Sequence, residues 1–180
     1  CSALGIINGY TDGSFKPEGN VTRAEAAKMI TIALNGGKEP VLSASATPRY
    51  TDIAGHWAAK YIEYCTSLGI VAGDGAGKFN PNGNVKAVEL AKMLLIALGY
   101  NAEHGKFLGA NWDTNVNVVA SQKDLYEELG TIDPAAALSR DNAAQMIWNT
   151  LNSGIVHKTS SIESGSIRET YTKLTDTDLL

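Results

Sequence analysis

From Val88 to Leu98 the chain is apolar on nearly every side, with Leu90, Ala91, Met93, Leu94, Leu95, Ile96 and Ala97 interrupted only by Glu89 and Lys92. A helix apolar all round is a buried helix, so the pattern predicts one over about Lys86 to Leu98 with other elements wrapped around it. Upstream, His56 to Leu68 sets Trp57, Tyr61, Ile62 and Cys65 at mixed three- and four-residue spacing, which is one face of a helix, and stops at Gly69. Between the two lie Gly69, Gly73, Gly75, Gly77, Gly83 and Pro81, the chemistry of sharp turns and positive φ. The unit therefore reads helix, glycine-rich loop, buried helix.

That unit repeats. Residues 1–34 align without a gap on 65–98, with 18 identities in 34, among them Gly5/Gly69, Gly9/Gly73, Phe15/Phe79, Pro17/Pro81, Glu25/Glu89 and Lys28/Lys92. A third, fainter copy follows. Pro134 stands 53 after Pro81, Ser139-Arg140 stands 117 after Thr22-Arg23, and Asn111-Trp112 stands 55 after His56-Trp57. The third copy is thus about two residues shorter in its middle loop, where the stretch from Gln122 to Gly130 replaces the glycine-rich turn.

Repeats of this length bury their apolar faces on one another. The expected fold class is all-α, a pseudo-threefold helical module with a central three-helix bundle and loop-rich outer helices. Its expected divisions are 1–35 (a repeat lacking its first helix), 50–99, 108–152 and a tail or linker at 153–180 without strong periodicity.

Thr22-Arg23-Ala24-Glu25 opens the buried helix of copy one. Thr22 as N-cap and Glu25 three residues later form a capping box, which accounts for both. Arg23 is different, because a cation in the first turn opposes the helix dipole. An arginine beside a helix N-terminus is a seat for a carboxylate or phosphate, which makes Arg23 a candidate anion ligand. Copy three repeats the arrangement with Ser139 and Arg140, although Asn142 replaces the glutamate. Copy two has Ala87 at the arginine position, with Lys86 before it as a partial substitute.

Trp57 and Trp112 open the outer helices, either as core residues or as a stacking face for a sugar ring. Asp52 is a turn or cap residue, or a groove contact. His56 reads as a surface or capping histidine. Cys1 and Cys65 occupy matching repeat positions and read as small buried apolar residues rather than a disulfide framework or a metal pair.

The net charge of −4 and pI near 5.3 argue against nucleic acid, so any anion must be held by locally placed cations. No apolar run reaches the length of a membrane span. Nothing resembles a nucleophile elbow or metal triad, and neither an enzyme nor a cofactor is expected.

The linked motifs resemble the S-layer homology domain. They comprise Tyr50-Thr51-Asp52, Gly55-His56-Trp57-Ala58, Gly69-Ile70, Gly73, Phe79 and Pro81 in copy two, with their counterparts and Thr22 to Glu25 in copy one. The resemblance covers roughly 1–152. It implies an extracellular module of a bacterial surface protein, bound non-covalently to secondary cell-wall polysaccharide attached to peptidoglycan, often bearing ketal-pyruvate on N-acetylmannosamine. Self-association in a surface layer is a further expectation. The resemblance also implies binding grooves between adjacent repeats, with Arg23 and Arg140 as anion ligands. Thr22, Ser139 and Glu25 would shape the sites, and Trp57, Asp52 and Trp112 would be groove contacts.

The rival readings are a calcium-dependent docking module and a purely structural layer-assembly domain. Calcium needs several oxygen ligands including carboxylates, and no aspartate or glutamate lies between Lys78 and Glu89.

Overall fold

The computed structural model describes residues 5–10, 12–153, 156–163 and 166–173. Five helices follow in order: α1 (Arg23–Leu34), α2 (Ala59–Ser67), α3 (Ala87–Ala97), α4 (Trp112–Gln122) and α5 (Arg140–Ser153). A two-stranded antiparallel ribbon, β1 (Val156–Glu163) and β2 (Ser166–Lys173), comes after them. The fold is mostly helical, and Cys1 lies outside the described residues.

The inner helices are α1, α3 and α5, one from each copy, and α3 packs against both α1 and α5. Ile30, Leu90, Leu95, Met146 and Ile147 are fully buried among them. Outer helix α2 packs on α1, and α4 packs on α3. Each outer helix therefore covers the inner helix of the copy before it, so the structural unit straddles two sequence repeats. Cys65 sits in the α1–α2 seam beside Thr31 and the Ala27 carbonyl, where burial pushes its thiol up to about 11. It is a small buried apolar residue, as its repeat position suggested.

Where the inner helices begin, the three copies close on one another in a ring. Val21 N–H donates to Leu138 O, Leu138 N–H to Val85 O, and Val85 N–H to Val21 O, each at 2.9 Å. Outside this triangle, the first two amides of each inner helix reach the loop of another copy. Arg23 N–H donates to Gly83 O and Ala24 N–H to Pro81 O. Arg140 N–H donates to Gly19 O and Asp141 N–H to Pro17 O, while Ala87 N–H donates to Ala136 O and Val88 N–H to Pro134 O. These are amides that a helix cannot satisfy internally. Pro17, Pro81 and Pro134 supply matching carbonyls because a proline bends the loop toward the neighbouring helix start at the same place in each copy.

Loop geometry follows the residues available. At Gly73 an added Cβ would lie 2.5 Å from Lys78 O and from the Tyr50 ring, so only glycine allows that approach. In copy three Asp124 and Glu128 take positive φ instead, and the Asn149 side chain ties the turn down through Leu125 O and Glu127 O.

The segment 153–180, expected as a tail without periodicity, carries the ribbon, in register from Val156 opposite Lys173 to Glu163 opposite Ser166. It is fastened to copy two. Val156 N–H donates to Leu98 O, Tyr171 stacks on Tyr100 with ring centroids 4.6 Å apart, and Asn101 N–H donates to Tyr171 Oη. Outer helix α2 starts three residues later than the pattern predicts. His56 Nδ1 accepts from Ala58 N–H and shapes the turn ahead of it, while Nε2 faces Asn82 Oδ1.

Candidate functional site

The capping box at Thr22 is complete. Glu25 N–H donates to Thr22 Oγ1, and Glu25 Oε2 accepts from both the N–H and the hydroxyl of Thr22. With the Gly83 and Pro81 carbonyls on the first two amides, every unpaired donor at this helix start is taken. The α5 start is filled in the same way by Gly19 O, Pro17 O and Ser139 Oγ, which accepts from Asn142 N–H. This corrects the expectation that the bare helix N-termini seat an anion. The ring closure consumes their amides, so an anion must be met by side chains.

The two arginines compensate the dipole by leaving their own helices. Arg23 lays its guanidinium over the Phe79 ring, 4.4 Å from the centroid, and donates from Nε to Phe79 O and from Nη2 to Ala72 O, both at 2.9 Å. Arg140 repeats this one copy away. It lies 5.2 Å from the Phe15 centroid and 4.7 Å from that of Tyr10, donating from Nε to Phe15 O and from Nη2 to Asn8 O. Phe15 and Asn8 are the copy-one equivalents of Phe79 and Ala72. The carbonyls and ring faces thus receive charge that the helix start repels.

Beside each arginine is an open groove, built from equivalent residues of three copies. The first, about 230 Å³, joins Arg23, the Gly69–Gly73 loop, Glu89, Lys92 and Trp112. The second, about 180 Å³, joins Arg140, the Asn8–Tyr10 segment, Glu25, Lys28 and Trp57. Lys92 Nζ lies 5.0 Å from the Trp112 ring, and Lys28 Nζ lies 6.0 Å from the Trp57 ring. Burial pulls the Lys92 ammonium below the ordinary lysine range, with Glu89 opposing that shift. Trp57 is 54% exposed, so the copy-two tryptophan is a groove wall and not a core residue. Trp112 is partly buried against the core while still lining its groove.

Asp52 was expected as a turn residue or a groove contact, and it lines neither groove. Its two oxygens accept from Phe79 N–H at 2.9 Å and Asn80 N–H at 2.7 Å, so it clamps the loop beneath Arg23. Desolvation pushes its carboxyl up, but those two donors outweigh this and hold it below the ordinary aspartate range.

Lys28 and Lys92 are the groove residues that motif reading missed. Their signal was present, since the lysine recurs between copies on an inner helix where packing calls for no charge. At the third helix start Ala87 is buried. Lys86 caps nothing with its side chain, although Glu89 Oε2 accepts its N–H at 2.9 Å. Among the described residues no cluster of three or more His, Cys, Asp or Glu is placed to hold a metal ion, and no helix is long and apolar enough to cross a membrane.

Comparison with known proteins matches the model of the S-layer homology domain over residues 1–27 and 49–86. Cell surface glycoprotein 1 of Acetivibrio thermocellus is 38% identical over 115 residues, covering 61% of this chain and 5% of the relative. An S-layer protein of Bacillus licheniformis is 32% identical over 153 residues, covering 79% of this chain and 17% of the relative. The cellulosome-anchoring protein of A. thermocellus is 37% identical over 87 residues, covering 48% and 19%. The chain spans less than a fifth of the length of each of these relatives. Its matched stretches contain Arg23 and Trp57, one wall residue from each groove, together with Phe79 and Asp52 beneath the first, and the chain belongs to the S-layer homology domain family.

Proposed function

We propose that this chain is a non-enzymatic anchoring module on the outside of a bacterial cell, holding the protein that carries it to the wall. Its units are the repeats 1–35, 50–99 and 108–152, with the ribbon-bearing segment 153–180 after them. The ligand is a secondary cell-wall polysaccharide bearing pyruvate ketals. The relatives support the coarser part of this reading, since a surface glycoprotein, an S-layer protein and a cellulosome-anchoring protein share this stretch within much longer chains.

One observation carries the finer part. An arginine, a lysine and a tryptophan meet in an open groove twice, as Arg23, Lys92 and Trp112 and again as Arg140, Lys28 and Trp57. The cations suit a sugar-borne carboxylate and the indole faces suit a pyranose ring, which is apolar on one face. Thr22 and Ser139 shape the sites by capping the helices from which the arginines depart.

The test is retention on purified cell wall, before and after mild acid removes the pyruvate ketals. Retention should be lost with the ketals, and also in an Arg23→Ala, Trp57→Ala chain that damages one contact in each groove. Equal retention on wall stripped of ketals would overturn the ligand assignment.

A further inference from the structure

The two grooves are built from equivalent residues, yet their arginines are not in the same electrostatic state. At Arg23, Nε and Nη2 are engaged by carbonyls, and Nη1 has no partner among the described residues. At Arg140 the same two nitrogens meet the equivalent carbonyls, but Nη1 donates to Glu25 Oε1 at 3.3 Å, an ion pair whose arginine is 5% exposed. Glu89 stands where Glu25 stands one copy earlier, and its carboxylate instead accepts from Lys86 N–H. Glu25 carries both duties, with Oε2 in the capping box and Oε1 on the arginine.

The lysines differ in the same sense. Lys28 is shared between the Trp57 and Tyr61 rings at 6.0 and 5.8 Å, whereas Lys92 lies closer to its tryptophan, Trp112, at 5.0 Å. A cation without a carboxylate partner gains more from an arriving anion than an already paired one.

We infer that Glu25 is a built-in counter-anion, so that the Arg23 groove is the primary seat for a sugar-borne carboxylate and the Arg140 groove a weaker one. This rests on the anchoring reading above. An incoming carboxylate meets two unclaimed Nη1 hydrogens at Arg23. At Arg140 it must share or displace a carboxylate that is already in place.

The experiment is calorimetric titration of the whole chain with the methyl glycoside of N-acetylmannosamine bearing a pyruvate ketal. The unaltered chain should show one tighter and one weaker site, differing by about tenfold, the scale of one charge-assisted hydrogen bond. Arg23→Gln should leave the weaker site alone. Adding Glu25→Gln to that chain should strengthen it by about tenfold, because glutamine still serves the capping box while the charge is gone.

A measurement that needs no variant guards against a folding defect. In the unaltered chain, the Arg23 Nε–H resonance should move at lower probe concentration than that of Arg140. Two equal sites, coincident arginine titrations, or no gain from Glu25→Gln in a folded chain would each overturn the inference while leaving wall anchoring intact. No binding of the probe at all would overturn both.

Discussion

Two of the three seams carry a guanidinium across to the neighbouring copy, and the third, at Ala87, does not. The third closes all the same. Val88 N–H reaches Pro134 O at 3.0 Å and Ala87 N–H reaches Ala136 O at 3.4 Å, the same bonds that Ala24 and Arg23, or Asp141 and Arg140, make to their own prolines and glycines. Backbone amides, not arginines, therefore seal the ring. A residue that closure does not require, set at the one place on a helix where its charge is unfavourable, calls for another reason to be there.

Alanine at each arginine separates the two. Arg140→Ala removes a buried cation from Glu25, Phe15 O and Asn8 O, and the loss should be about 3 kcal/mol in urea unfolding, the scale of a broken buried pair. Arg23→Ala breaks two carbonyl bonds and a ring contact, but no ion pair, at a half-buried site and should cost about 1 kcal/mol. Equal losses would mean that both arginines are mainly structural.

Asp52→Ala tests whether the Arg23 groove depends on its floor. Two backbone donors lose a charged acceptor, so about 2 kcal/mol should disappear. Because the folded carboxyl is held below its ordinary range, its contribution is complete above that range and fades as pH falls through the lowered value. The unaltered chain should lose this share of stability in acid, and the Asp52→Ala chain should not.

The caps distinguish the sealed seams from one another more finely. Thr22→Ala should cost about 1 kcal/mol at α1. At α3, Glu89 already supplies half of a capping box to a Lys86 that offers no acceptor, and Lys86→Thr should raise stability by about 0.5 kcal/mol. Thermal unfolding of the two variants, measured side by side, reads both effects.

Much of this was legible beforehand because it is local. The helix-loop-helix period, the capping box at Thr22 and the buried run of α3 all follow from short-range spacing. The seams were not legible. Arg23 finds Phe79 O across 56 residues and Arg140 finds Asn8 O across 132, and no periodic pattern encodes which carbonyl a guanidinium will reach. The anion seat at the helix starts failed for the same reason, since the amides it needed were claimed by Pro81 and Gly83, or by Pro17 and Gly19, from another copy. Asp52 read either as a turn or cap residue or as a groove contact, and only the fold, which brings the Phe79 and Asn80 amides to it, decides for the loop role. The ribbon lacks the apolar alternation that marks a half-buried strand, so it left no trace to read.

The triangle of Val21, Leu138 and Val85 has a consequence for how such a module can change. In an open stack of repeats, units are added or lost at the ends with little effect on the middle. Here every copy is at once donor and acceptor in a closed circuit of three, and removing one leaves a raw amide and a raw carbonyl facing each other across a gap. The number three is thus set by the backbone itself, and variation is confined to what each seam displays: an arginine held by carbonyls alone, one also paired with a carboxylate, or none.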